Sequence, residues 1–212
     1  MRVRALRVFT PALAVAFLVV GMSLALGACG SGDSGGSGDA DGVKTYTDPD
    51  FGYSFEYPAG WVLNEGGDTS VGSGAASAGS VQVGDPKGAK VDGTGLDGLV
   101  ARVYELNLTV DESMLPDIRP EVEGLIADLL SQDASWKIVE DLTETSVAGV
   151  PGFKASFTFD YDADHPVKTT SYYLFAGDVE YELVVQASTD TWEENQPVFA
   201  AFFASFRPGA SD

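Results

Sequence analysis

Alternation of apolar and polar residues at period two dominates the second half of the chain. Phe153, Ala155, Phe157, Phe159 and Tyr161 interleave with Lys154, Ser156, Thr158 and Asp160. Val179, Tyr181, Leu183, Val185 and Ala187 repeat the pattern. Strand side chains point alternately to opposite faces, so both segments read as half-buried antiparallel strands with one covered face. "WKIVEDLTET" (136–145) and "TTSYYLFA" (169–176) predict two more strands, with "VAGVPG" and "AGD" as connecting turns. Upstream, "VKTYTD", "YSFEY", "WVLNE", "VQV" and "LVARVYELNLTV" predict further strands. Asp48-Pro49-Asp50 and Pro58-Ala59-Gly60 read as turns, and Gly66 to Ser80 and Gly84 to Gly98 as loops.

Two segments follow the helical period instead. Val122, Leu125, Ile126, Leu129 and Leu130 form one apolar stripe, with Pro120 placed in the first turn and Glu121 and Glu123 at the positive end of the helix dipole. In "TWEENQPVFAAFFASF" the stripe is Phe199, Phe202, Phe203 and Phe206, and Thr191 and Glu194 spell a capping box. Pro197 requires that helix either to start late or to kink. Four phenylalanines at helical spacing are core residues that cover a sheet. The predicted class is α+β: an antiparallel β-sheet with helices packed on it.

A different organisation precedes Val43. "MRVRALR" is basic, and Pro11 to Leu26 is a 16-residue apolar run. As a helix that run spans about 24 Å, short of the roughly 30 Å hydrocarbon core, so it reads as an export signal rather than a permanent span. Leu26, Gly27, Ala28 and Cys29 then resemble the bacterial lipoprotein box, in which the cysteine is acylated and becomes the first residue of the mature protein. Cys29 is the only cysteine, and it has no internal disulfide partner. "GSGDSGGSGDADG", Gly30 to Gly42, is a low-complexity tether with a reach of roughly 20 Å. The expected division is a signal peptide over 1–28, the diacylglyceryl cysteine and tether over 29–42, and a globular domain over 43–212. The expected location is the extracytoplasmic face of the cell membrane, held by the lipid.

The start of the domain carries a family pattern. Gly52, Ser54, Phe55, Tyr57, Pro58, Gly60 and Trp61 match the Gly-x-Ser-aromatic-x-aromatic-Pro-x-Gly-Trp hairpin that opens PsbP-like domains. The order that follows is also similar: a short strand, a central helix, long antiparallel strands and a closing helix ending in "SFRP" at Ser205 to Pro208. The resemblance runs from about Tyr46 to Arg207 and extends to the actinobacterial lipoproteins built on this fold. It implies an α/β/α sandwich and an assembly or partner-binding role without a shared active site.

Charge narrows the partners. The chain carries 32 acidic and 12 basic side chains, a net charge of −20. The first 28 residues hold three arginines and no acid, so their removal takes the net charge to −23. A surface this negative repels phosphate backbones, which excludes nucleic-acid binding. Candidate chemistry is sparse. Gly93-Thr94-Gly95-Leu96-Asp97-Gly98 spells G-x-G-x-x-G, but a loop precedes it and a strand follows, where a dinucleotide site needs a strand and then a helix. Asp160, Asp162 and Asp164 begin like a calcium loop, yet His165 and Ser171 stand where that loop needs glycine and glutamate. They remain weak metal candidates in an acidic turn. His165, the only histidine, has no companions for zinc and no nucleophile to activate. Asn107-Leu108-Thr109 matches the glycosylation pattern, but it sits inside a predicted strand of an expected bacterial lipoprotein.

Two function classes follow. One is a non-enzymatic module that binds another envelope or secreted protein, or a small ligand, with no catalytic residue and no cofactor beyond the lipid on Cys29. The alternative is an envelope hydrolase using paired carboxylates. Two carboxylates about 5–10 Å apart in a cleft, one with a raised pKa, favour the hydrolase; an open apolar patch favours the binding module.

Overall fold

The computed structural model describes residues 42–65 and 77–209. The signal segment, Cys29 with the lipobox residues, the tether up to residue 41 and positions 66–76 of the first loop lie outside the described residues. In chain order the elements are β1 (Val43–Thr47), β2 (Ser54–Pro58), β3 (Val62–Glu65), β4 (Gly79–Gly84), β5 (Lys90–Val91), β6 (Thr94–Gly95) and β7 (Gly98–Val110). A 3-10 turn at Glu112–Met114 leads into α1 (Leu115–Gln132), followed by β8 (Lys137–Val147), β9 (Val150–Asp160), β10 (Pro166–Ser188) and α2 (Trp192–Ser205). Six strands form one antiparallel sheet in the order β3-β4-β7-β10-β9-β8. β1–β2 and β5–β6 are separate two-stranded ribbons.

The two alternating segments on either side of "AGD" are one strand, not two. β10 runs for 23 residues; Pro166–Leu174 pairs with β9 and Gly177–Gln186 with β7. The predicted turn at Ala176-Gly177-Asp178 is instead a bulge, with the register shifting between Gly177 and Val179 and Gly177 at φ 66°. The register shifts by three residues there, an odd number, and an odd shift exchanges the two faces of the pleat. Tyr173 and Phe175 pack on one side with Leu115, Ile118, Val122 and Ile126 of α1. Beyond the bulge, odd-numbered Tyr181, Leu183, Val185 and Ala187 pack on the opposite side with Phe199, Phe202 and Phe206. The two helices therefore lie on opposite faces of the sheet, as the sandwich requires.

Phe199, Phe202 and Phe206 are buried as their spacing predicts, and Phe203 is partly buried against the same core. The β1–β2 ribbon completes that core with Tyr46, Tyr53 and Phe55. The Phe55 ring meets Phe202 edge-on at a centroid distance of 4.9 Å. The opening hairpin is thus β1–β2, closed by Asp48, whose Oδ1 accepts from the backbone of Asp50 at 3.0 Å and Phe51 at 2.7 Å. Gly52 takes φ 68° there, a value that glycine adopts without strain. Pro58-Ala59-Gly60 does turn, with the Trp61 N–H donating to the Pro58 carbonyl at 2.9 Å. It joins two different sheets, since β3 pairs with β4 and not with β2.

Both helices start earlier than their stripes suggest. α1 begins at Leu115 with Pro116 in the first turn, so Pro120 lies inside it. α2 begins at Trp192 and carries Pro197 inside, while Thr191 makes no side-chain cap bond. Replacing Phe202 with alanine empties a fully buried aromatic site at the centre of the α2 core. The expected loss is about 3–5 kcal/mol, read by chemical denaturation of residues 43–212. A loss below about 0.5 kcal/mol, the scale of surface substitutions, contradicts this packing.

Candidate functional site

The three carboxylates of the acidic turn do not converge. Asp162 is spent on the turn itself: its Oδ1 accepts from the Asp164 N–H at 2.9 Å and faces His165 Nδ1 at 2.6 Å. The backbone donor from Asp164, then the imidazole, hold its carboxyl below the ordinary range. Among the described residues no three His, Cys, Asp or Glu side chains stand close enough to share a metal ion.

The G-x-G-x-x-G stretch is a structural joint. Asp92 and Gly93, at φ 49° and 85°, form a two-residue turn between β5 and β6, the Asp-Gly signal of a tight hairpin. Asp97, 3% exposed, is the knot that follows. Its Oδ1 accepts from the Ser188 N–H at 3.0 Å and the Thr191 hydroxyl at 2.9 Å. Its Oδ2 accepts from the Ala89 N–H at 3.1 Å and Asn195 Nδ2 at 3.3 Å. The hydroxyl that the capping pattern assigns to the helix backbone is therefore taken by Asp97. A β-carbon at Gly88 would stand 2.7 Å from Asp97 Oδ2, so that loop closes over the carboxylate only with glycine.

A second polar cluster sits on the α1-facing side of the sheet. Past the bulge, the even-numbered residues of β10 turn inward, and Glu180 and Glu182 are 8% and 4% exposed. Arg102 on β7 lies directly across from Glu182 and donates from Nη1 to Oε2 at 2.8 Å. Tyr104 donates to the same oxygen at 3.2 Å. Burial is the largest influence on Arg102 and lowers its pKa, but the Glu182 charge, Tyr104 and the hydrogen bond to Glu182 together outweigh it and leave the guanidinium raised. Among the described residues no such cation pairs with Glu180; burial, reinforced by the Glu182 charge, pushes its carboxyl up to about 8. The two carboxylates are neighbours on one strand face, about 6.6 Å apart at Cα. Glu182 Oε1, Ser80 Oγ and Gln82 Nε2 are buried without a hydrogen-bond partner.

An open feature of the described surface lies elsewhere, between α1 and the β8–β9 end of the sheet. A cavity of about 390 Å³ has an apolar floor of Ile126, Leu130, Ala155, Phe157 and Leu142 and a rim of Arg119, Glu123 and Asp141. Arg119 is tied down: Nη2 donates to the Leu142 carbonyl at 2.7 Å, Nε pairs with Glu123 at 3.3 Å, and the guanidinium stands 5.6 Å from the Phe153 ring. Beside the groove, Ile138 and Val139 are 43% and 49% exposed. Ile138 also lines the cavity.

Comparison with known proteins places the architecture. The solution structure of cyanobacterial PsbP (CyanoP) from Synechocystis sp. PCC 6803 superposes with a TM-score of 0.54 at 17% identity, covering 84% of this chain and 98% of that one. The fold is PsbP-like. The crystal structure of LpqN, involved in cell envelope biogenesis of Mycobacterium tuberculosis, superposes with a TM-score of 0.53 at 11% identity, covering 79% of this chain and 92% of that one. No family model and no curated protein matches the sequence. Among the described residues no helix is long and apolar enough to cross a membrane.

Glu180 generates a pH test. Its carboxyl titrates near 8 when folded against an ordinary 4.5. The raised folded value contributes stability that is fully present below the unfolded pKa and lost as pH rises through the folded one. Glu180→Gln removes the charge and keeps the shape. The variant is expected to match the parent near pH 4 and to exceed it by about 1–3 kcal/mol at pH 7–8, by denaturant titration across pH. Parallel curves for parent and variant across that range contradict the buried, protonated carboxyl.

Proposed function

We propose that this protein is a non-enzymatic binding module, held at the extracytoplasmic face of the membrane by a diacylglyceryl group on Cys29, that engages an envelope or secreted protein. The observation that carries the reading is the groove between α1 and β8–β9: accessible, apolar at its floor, charged at its rim and flanked by exposed Ile138 and Val139. Fold likeness to LpqN supports an envelope role at the level of architecture.

The hydrolase alternative has one specific observation behind it, the neighbouring Glu180 and Glu182 with the raised carboxyl. Yet hydrolysis needs a carboxylate that reaches water and substrate. Both glutamates are more than nine-tenths buried, and Glu182 already accepts from Arg102 and Tyr104. The binding reading is the better supported of the two.

Two measurements test it. Cys29→Ala is expected to leave the protein unacylated and to shift it from the detergent phase to the aqueous phase. An unmodified Cys29 in a soluble fraction of the parent defeats the tethered reading. A photoreactive residue at Val139 of the membrane-held chain is expected to give discrete protein adducts. Leu142→Asp in the groove should reduce them at least about tenfold, or 1.4 kcal/mol. Alanine at Asp160, Asp162, Asp164 and His165 together should leave them unchanged. Loss on changing the turn, with the groove variant unaffected, would move the site to the turn.

A further inference from the structure

Resting on the binding-module reading, we infer that β8 is the docking edge and that its occupant is a basic, extended segment of the partner protein, added to the sheet as a seventh strand. β8 is the last strand of the sheet, and among the described residues no strand pairs with its outer edge, Arg119 taking the Leu142 carbonyl alone. It is 11 residues long, and an exposed strand of that length presents a row of unpaired N–H and C=O groups, the template for strand addition.

Its two halves are built differently. From Thr143 to Val147 the register with β9 is regular, so the backbone there is straight enough to pair on its other side. Between Ile138 and Thr143 the register shifts twice. Bulges re-aim side chains, and here Ile138, Asp141 and Leu142 all line the groove. The regular half thus offers backbone pairing, and the irregular half offers a recess for an apolar side chain.

Charge selects the occupant. β8 carries Glu140, Asp141 and Glu144 against Lys137 alone. Glu140 is matched by Lys154 at 3.8 Å, and Arg119 is matched by Glu123. Asp141, Glu144 and Lys137 have no ion pair among the described residues, so the uncompensated charge beside the free edge is negative by one unit. A second copy of this chain, at a net charge of −20, would bring acid against acid. Like charges set directly opposite across strands are destabilising, and opposite charges are favourable. A segment alternating lysine or arginine with apolar residues satisfies the edge, the recess and the charge together.

The test selects from a random library of synthetic peptides of about nine residues, long enough to run most of β8, on the immobilised full-length chain in detergent. Enriched peptides are expected to be basic, to alternate apolar and polar residues, and to lack proline at their centre. Bound to the chain, they should protect the Thr143–Ser146 amides from hydrogen exchange and weaken with added salt. The Asp141→Lys, Glu144→Lys double variant should bind them at least about tenfold less tightly. Enrichment of acidic, proline-rich or helix-periodic peptides overturns the inference, as does protection confined to other elements, or no enrichment at all. Adducts at Val139 in the membrane together with any of these failures leave a binding module that does not use strand addition. Absence of both removes the module itself.

Discussion

The architecture depends on an odd register shift midway along β10, which exchanges the two faces of its pleat. A strand of 23 residues in a twisted sheet cannot present the same apolar face to two helices that lie on opposite sides. The bulge at Gly177 resolves this by exchanging the faces midway, so one strand serves α1 through Tyr173 and Phe175 and α2 through Tyr181 and Leu183. The same exchange turns Glu180 and Glu182 inward. Arg102, directly across the ladder, supplies the countercharge that one of them needs. Glu180, left without one, takes up a proton instead.

Around this strand the remaining joints are polar. Asp97 gathers the hairpin loop, the end of β10 and the start of α2 through four hydrogen bonds, two to each carboxylate oxygen. A carboxylate can do this because the charge is spread over oriented donors, which offsets its burial. The glycines around it serve close approach: a β-carbon at Gly98 would stand 2.9 Å from the Val83 carbonyl. A spelling associated with phosphate loops is here the spelling of a tight corner.

Periodicity made most elements legible, and their junctions less so. Both halves of β10 alternate visibly, but Ala-Gly-Asp has the same composition in a turn and in a bulge, and only the pairing partners distinguish them. The Val122 and Phe199 stripes located the buried helix faces, while Pro120 and Pro197, placed inside helices, obscured where those helices begin. The Asp92-Gly93 hairpin carried a readable signal within a stretch that otherwise looked like loop. Glu180, Glu182 and Arg102 were hidden for a physical reason: period-two reasoning sends the polar face of a strand to solvent, and this face is buried as well. The groove had no local signature at all, since Arg119, Ile138, Leu142 and Phe157 come together only when α1 is laid across the end of the sheet.

The first and last described segments meet. Ser54 and Arg207 exchange backbone hydrogen bonds of 2.9 and 2.8 Å, and the Gly209 N–H donates to the Tyr181 hydroxyl at 3.2 Å. Val43 pairs with Pro58 at one end of the β1–β2 ribbon, while Gly209 lies beside Gly52 at the other, so the first and last described residues are held by the two ends of one small ribbon. A force drawn along the chain from Val43 runs first into a small ribbon clasped by its own C-terminal residues, leaving the six-stranded sheet out of the line of load. Between the first and last described residues the short hydrogen-bonded path is thus the clasp, not the sheet.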